Sequence, residues 1–113
     1  MAGRIRVELR IGVNCAGKPL FSPAIIALLR AIRDKGSLRI AAQDLQVSYQ
    51  HVWDVINTVN STAPKTIVLK QRGGTGGGGA TITEYGKLVL REYEGIEREV
   101  SKFEARLNSE LNF

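Results

Sequence analysis

Residues 37–60 read SLRIAAQDLQVSYQHVWDVINTVN, and no other stretch restricts the fold as strongly. Ser37 and Ser48 each precede a run with helical periodicity, where a serine hydroxyl can accept from the unpaired N–H groups of a first turn. The helix from Ser37 is short, with Ile40, Ala41 and Leu45 expected inward. A tight bend at Gln46-Val47 leads to a second helix that runs to about Asn60. On it, Val52, Val55, Ile56 and Val59 share one side at the 3.6-residue period, and Gln50, His51, Asp54, Asn57 and Thr58 share the other. Small Ala41 and Ala42 let the two helix backbones approach, with Leu45, Val47, Val52 and Ile56 expected to fill the angle between them. In such a helix-turn-helix the first helix braces, and the second presents its N-terminal face to the major groove. An αα-corner also exists without touching nucleic acid, so the flanking elements decide its meaning.

Those elements are ordered. From Arg4 to Val13, apolar Ile5, Val7, Leu9, Ile11 and Val13 alternate with Arg4, Arg6, Glu8, Arg10 and Gly12, the period-two pattern of a half-buried strand. Asn14, Gly17 and Pro19 mark a turn. Ser22-Pro23 opens a helix that Gly36 stops, with Ile25, Ile26, Leu28, Leu29 and Ile32 as its apolar stripe. After a loop at 61–64, residues 66–71 and 80–83 read as two strands around the glycine tract of residues 73–79. Thr83 then caps a long helix. The expected fold is mainly α with a small β-hairpin wing (α+β): a winged helix-turn-helix with an N-terminal strand and a long C-terminal dimerisation helix. Residues 1–83 would form the DNA-binding domain and 84–113 the dimerisation helix of the same unit. On that helix Leu88, Tyr93, Ile96, Val100, Phe103, Leu107 and Leu111 would face a second copy, since an apolar stripe leaving a small domain must be covered.

Charge points the same way. The chain of 113 residues carries a formal net charge of +5, distributed as +7 over residues 1–83 and −2 over 84–113. A basic front part suits a polyanion, and a mixed-sign tail suits a solvated helix or a protein contact. Cys15 is the single cysteine, so no internal disulfide can form and a reducing compartment is expected. A cytoplasmic, nucleoid-associated location without membrane contact is the corresponding expectation. His51 and Cys15 have no second histidine or cysteine with which to build a metal or nucleophilic site, so neither a metal, a cofactor nor an enzyme activity is expected. Gly74-x-Gly76-x-x-Gly79 matches the dinucleotide fingerprint formally, but 80–83 reads as a strand where that fingerprint needs a helix N-terminus. A hairpin tip whose backbone can approach DNA closely is the better account.

The residues of the reading helix suit base edges. Gln50 can bond adenine in bidentate fashion, Asp54 can accept from cytosine N4, and Asn57 or Ser48 can serve a base or a phosphate. Ser48 and Tyr49 sit at the helix N-terminus, where a phosphate is favoured. Ser37 and Arg39 at the bracing helix, His51, and Lys70 and Arg72 with Gly74, Thr75, Gly76 and Gly77 at the wing complete the expected DNA-binding set, the cations positioning without reading sequence. Trp53 is expected to pack between helix and wing.

Ser48-Tyr-Gln-His-Val-Trp-Asp-Val-Ile-Asn57, Gly73-Gly-Thr-Gly-Gly-Gly-Gly-Ala80 and Thr83-Glu-Tyr-Gly86 together resemble the N-terminal DNA-binding domain of ModE-type molybdate-responsive regulators. More distantly, Gly36 through Ile56 is similar to the winged helices of LysR-type regulators. The resemblance spans about Arg4 to Tyr93 and implies a homodimer that binds double-stranded DNA as a transcription regulator, paired through its long terminal helix. Molybdate binding is not expected, because the family's sensor domain has no counterpart in these residues. Two alternatives stay open: a sequence-independent nucleoid protein, which the charge permits, and a protein–protein interaction module, which Asp54 on the polar face permits.

Overall fold

The computed structural model describes residues 5–71 and 79–112. Its order is β1 (Val13–Cys15), β2 (Lys18–Phe21), α1 (Pro23–Lys35), α2 (Leu38–Leu45), α3 (Tyr49–Thr62), β3 (Val68–Gln71), β4 (Gly79–Ile82) and α4 (Glu84–Ser109). The fold is a winged helix-turn-helix, with β3 and β4 as the antiparallel wing and a second small hairpin, β1–β2, before α1.

Each helix starts where local chemistry dictates. Ser22, Ser37, Ser48 and Thr83 have extended backbones, and their side-chain oxygens accept from the N–H of Ile25, Ile40, His51 and Gly86. Each satisfies a donor that the helix itself cannot. Gly36 ends α1 in the left-handed region (φ 65°), donating to the carbonyl of Ile32. Gln46 ends α2 in the same region (φ 56°), a conformation that costs a non-glycine residue strain but makes the bend between α2 and α3 sharp.

The N-terminal strand is a correction. Residues 5–12 form no β-ladder, and the first strand begins only at Val13, the last residue of the expected strand, and runs on through Asn14 and Cys15, where a turn was expected. Cys15 therefore lies in β1 and is half-buried, with the turn at Ala16-Gly17 behind it. The alternation survives from Arg6 onward: Val7, Leu9 and Ile11 are half-buried, while Arg6, Glu8, Arg10 and Gly12 are exposed, but Ile5, expected on the apolar side, is exposed too. This segment runs antiparallel to α4 and is held by its side chains. Asn108 both accepts from the Val7 N–H (2.7 Å) and donates to the Val7 carbonyl (2.9 Å). Glu104 accepts from the Leu9 N–H (2.8 Å).

One core joins the elements. Ile26, Leu29 and Ile32 of α1 meet Leu38 and Ala41 of α2, Val52, Ile56 and Val59 of α3, Ile67 and Val68 at β3, and Leu90 and Tyr93 of α4. Ile40 is 43% exposed, and Leu45 and Val47 are exposed as well, against expectation. Leu38 takes the inward position instead. With Ala41, Ala42 and Leu38 on one face, Ile40 is turned about 200° from Leu38 and points to solvent.

On α4 the buried residues are Gly86, Leu90 and Tyr93, all in its first half. Tyr93, expected on the pairing stripe, is 3% exposed and belongs to this chain's own core. Its hydroxyl donates to the carbonyl of Ile11 (3.4 Å), and burial pushes its pKa up. Beside it Arg30 of α1 forms a two-contact ion pair with Glu97, which fixes α4 against α1 and raises the Arg30 pKa. Leu111 lies past the helix end at Ser109.

Gly86 sets how closely α4 can approach the wing. A Cβ there would stand 2.8 Å from the Ile67 carbonyl oxygen and 2.7 Å from Ile82 Cγ2. Backbone cannot yield as a flexible side chain would, so Gly86→Ala is expected to destabilise the chain by about 1–3 kcal/mol, read as a lower urea midpoint. An unchanged midpoint would show that α4 has room to shift outward.

Candidate functional site

The exposed side of α3 carries Gln50, His51, Asp54, Asn57 and Thr58, while Val52, Ile56 and Val59 are buried on the opposite side. The expected division of the helix is thus present in space. Gln50 Nε2 donates to Asp54 Oδ1 (2.9 Å), one helical turn on. The bond fixes the Gln50 amide, turns its carbonyl oxygen away from Asp54, and spends part of the Asp54 charge within the face itself. Ser48 accepts from the His51 N–H through Oγ (3.0 Å) and keeps its hydroxyl proton for another acceptor.

Two cations frame this face. The Arg39 guanidinium lies over the Tyr49 ring, 4.5 Å from its centroid, and Lys70 Nζ lies 4.3 Å from the Trp53 ring centroid. Tyr49 and Trp53 themselves meet edge to face with centroids 6.1 Å apart. The result is a continuous row, Arg39–Tyr49–Trp53–Lys70, which links α2, α3 and β3. Each ring holds a charge that would otherwise sample many rotamers, a contact worth roughly 0.5–1 kcal/mol where exposed. Trp53 does pack between helix and wing, as its position suggested. Lys70 also donates to Asn57 Oδ1 (3.0 Å), and the Asn57 amide nitrogen has no acceptor among the described residues.

Ser37 is the α2 cap and pairs in an isolated bridge with Gly79 at the root of the wing. Ala80 donates to the Gly36 carbonyl (3.2 Å) at the same joint, so the α1–α2 corner and the wing share one anchor. Arg72, Gly74, Thr75, Gly76 and Gly77 lie outside the described residues.

The sequence reading missed Asn60. Its Oδ1 accepts from the N–H groups of Ile67 (2.9 Å) and Val68 (3.1 Å), and its Nδ2 donates to the Val68 carbonyl (2.9 Å). One side chain at the end of α3 thereby fixes where β3 begins. Thr83 adds a second tie: its hydroxyl donates to the Thr66 carbonyl (2.7 Å), and its N–H to that of Ile67 (2.9 Å). A polar residue at a helix end gives no sequence signal of such a partner, because the partner is set by the return of the chain. The Tyr49–Trp53 contact was missed as well, although residues four apart share a helix face.

Among the described residues no group of three or more His, Cys, Asp or Glu side chains could hold a metal ion, and no helix is long and apolar enough to cross a membrane.

A helix-turn-helix with a polar outer helix face, cation-bearing flanks and a hairpin wing defines the class as a winged helix. The chain is similar to the molybdenum transport protein ModE of Azotobacter vinelandii, 39% identical over 87 residues that make up 77% of this chain and 32% of that relative. It is also similar to the DNA-binding transcriptional dual regulator ModE of Escherichia coli K12, 33% identical over 80% of this chain and 34% of the relative. The molybdenum-pterin-binding protein MopB of Rhodobacter capsulatus is 34% identical over 77% of this chain. The ModE resemblance read from the sequence is thus present along most of the chain, which spans about a third of the length of the curated relatives it matches. No protein-family model matches. Among solved structures, the full-length LTTR LysG from Corynebacterium glutamicum shares the fold, with a TM-score of 0.57 at 20% identity over 78% of this chain and 29% of that one.

Removing the Asn60 side chain tests the anchor. Asn60→Ala leaves the Ile67 and Val68 N–H groups without their acceptor, at a cost of about 1–3 kcal/mol. Amide exchange at Ile67 and Val68 should then accelerate more than exchange in the α1 interior. Uniform acceleration would mean that Asn60 acts only through global stability.

Proposed function

We propose that this chain is the DNA-binding module of a transcription regulator and that it acts as a homodimer on a two-fold related DNA site. The observation that carries the reading is the outer face of α3, where Gln50, Asp54 and Asn57 stand exposed between Arg39 and Lys70. The similarity to a protein named as a DNA-binding transcriptional dual regulator supports it.

In this reading α3 lies in the major groove and the two cations meet phosphates on either side. Ser48 and Tyr49, at the N-terminus of α3, also face phosphate, where unpaired N–H groups favour an anion. Gln50, held by Asp54, presents an amide with an acceptor oxygen and a remaining N–H donor, the pair that matches adenine N6 and N7. Asp54 is then a positioning group for Gln50 as well as an acceptor for cytosine N4. The wing residues Arg72, Gly74, Thr75, Gly76 and Gly77 would follow the DNA backbone.

Dimerisation is proposed from α4. Leu88, Ile96 and Phe103 are 44%, 45% and 44% exposed and fall on one stripe of the helix. Beside the stripe runs an apolar cleft of about 380 Å³, whose walls include Phe21, Tyr85, Leu88 and Ile96. Val100 and Leu107, farther along the same helix, are half-buried. A second copy's α4 would cover the stripe and set two α3 helices at half-sites about one helical turn apart.

Anisotropy titrations with duplex fragments selected from genomic DNA test this. Affinity should fall by orders of magnitude between about 50 and 200 mM salt, and the selected fragments should share an inverted repeat. Flat salt dependence would remove the DNA reading, and an even spread of fragments would replace regulation with sequence-independent packaging. Gln50→Ala is expected to relax preference at one base pair by about 1–3 kcal/mol, and Lys70→Ala to weaken all sequences alike with a shallower salt slope. Equal effects of the two would overturn their separate roles.

A further inference from the structure

We propose that residues 6–12 are an interaction surface for the same segment of a second copy, forming a two-stranded antiparallel ribbon centred on Leu9. The inference rests on the dimeric reading above and adds to it a second contact, apart from the α4 stripe.

The backbone carries the argument. In an extended chain the N–H and C=O groups of alternate residues point to opposite edges. Here the odd-numbered residues turn theirs toward α4: Val7 to Asn108, Leu9 to Glu104, and Ile11 to the Tyr93 hydroxyl. The even-numbered residues Arg6, Glu8, Arg10 and Gly12 face the other edge, and among the described residues no hydrogen bond uses their backbone groups. One edge of this segment is thus tied down by its own chain, and the other is an open template for a strand.

Side chains then select the occupant. Antiparallel pairing about Leu9 sets Glu8 opposite the partner's Arg10 and Arg10 opposite the partner's Glu8, so both charged pairs are of opposite sign. It sets Val7 opposite Ile11 and Leu9 opposite Leu9 on the apolar side, completing residues that are only half-buried in one chain. A register centred on Glu8 would put Glu8 opposite Glu8 and Arg6 opposite Arg10. One centred on Arg10 would put Arg10 opposite itself. Like charges directly opposite are destabilising. A register centred on Val7 pairs only residues 5–9 of the described chain, against 6–12 for Leu9. Within one chain Glu8 and Arg10 meet only at 4.0 Å with both side chains exposed, so neither is committed to the other.

Cross-linking tests the register. In an antiparallel ladder the central Leu9 pair would not be hydrogen-bonded, which brings its Cα atoms within disulfide range. The full chain carrying Leu9→Cys and Cys15→Ser should form a covalent dimer with oxidised glutathione at least about tenfold faster than the same chain carrying Arg10→Cys and Cys15→Ser. Equal rates in a protein that sedimentation shows to be dimeric would overturn the strand pairing and leave the α4 contact standing. A protein that stays monomeric at every concentration would overturn both. Charge exchange gives a second measure at exposed positions: Glu8→Arg and Arg10→Glu should each weaken self-association, and the two together should restore it. Failure of the double variant to recover would also overturn the register.

Discussion

The narrow joint between the end of α3, the start of β3 and the start of α4 governs the rest of the molecule. Asn60 holds the first backbone groups of β3, Thr83 ties β4 to the residues just before β3, and Gly86 lets α4 come within contact distance of the Ile67 carbonyl. Each of these contacts is made to backbone rather than to side chains, so it fixes position and not merely proximity. The wing cannot slide along α3 without losing the Asn60 bonds, and α4 cannot turn without driving a neighbour into Ile67. Whatever touches the outer face of α3 therefore meets a wing and a terminal helix already set at defined angles.

That rigidity gives the row of rings on α3 its value. A lysine or arginine at a surface loses side-chain entropy when it engages a phosphate. Over Tyr49 and Trp53, Arg39 and Lys70 have surrendered part of that freedom in the free protein. Lys70 is also bonded to Asn57, so the cation at the wing and a polar group on α3 move together. Asp54, the one acid on this face, directs its carboxylate to Gln50 instead of opposing the cations. The face is thus preorganised, with positive charge at its margins and hydrogen-bonding groups between.

The far end of the molecule is built on the opposite principle. The second half of α4 has no buried residue, and the chain before β1 is fastened to it through Asn108 and Glu104 rather than through a ladder. Exposed apolar side chains of α4 lie along this end, beside the segment of residues 6–12 whose even-numbered backbone groups have no hydrogen-bond partner among the described residues.

Element starts were legible in the sequence because capping is local: a serine or threonine before a periodic run satisfies donors within its own turn, and Ser22, Ser37, Ser48 and Thr83 all do so. The polar face of α3 was legible for a similar reason, since the helical period fixes which residues share a side. Residues 5–12 show where locality stops. From Arg6 to Gly12 their alternation gave which side chains turn inward, though Ile5 is exposed, but a strand needs a neighbour, and only the packed chain shows that its neighbour is a helix. Tyr93 followed the stripe spacing of α4 yet sits in the core, because the first half of that helix is claimed by α1 and β4. Asn60 and Gly86 gave no local sign of their roles, as both act on backbone that returns from elsewhere. The amino-acid order by itself determined the helix starts and the faces of α1 and α3, through contacts between residues a few positions apart, whereas on α2 it misassigned Ile40 and Leu45 to the inward side that Leu38 occupies. Tertiary structure alone decided which apolar faces were already covered and which backbone groups were already bonded, because those depend on distant segments meeting in space.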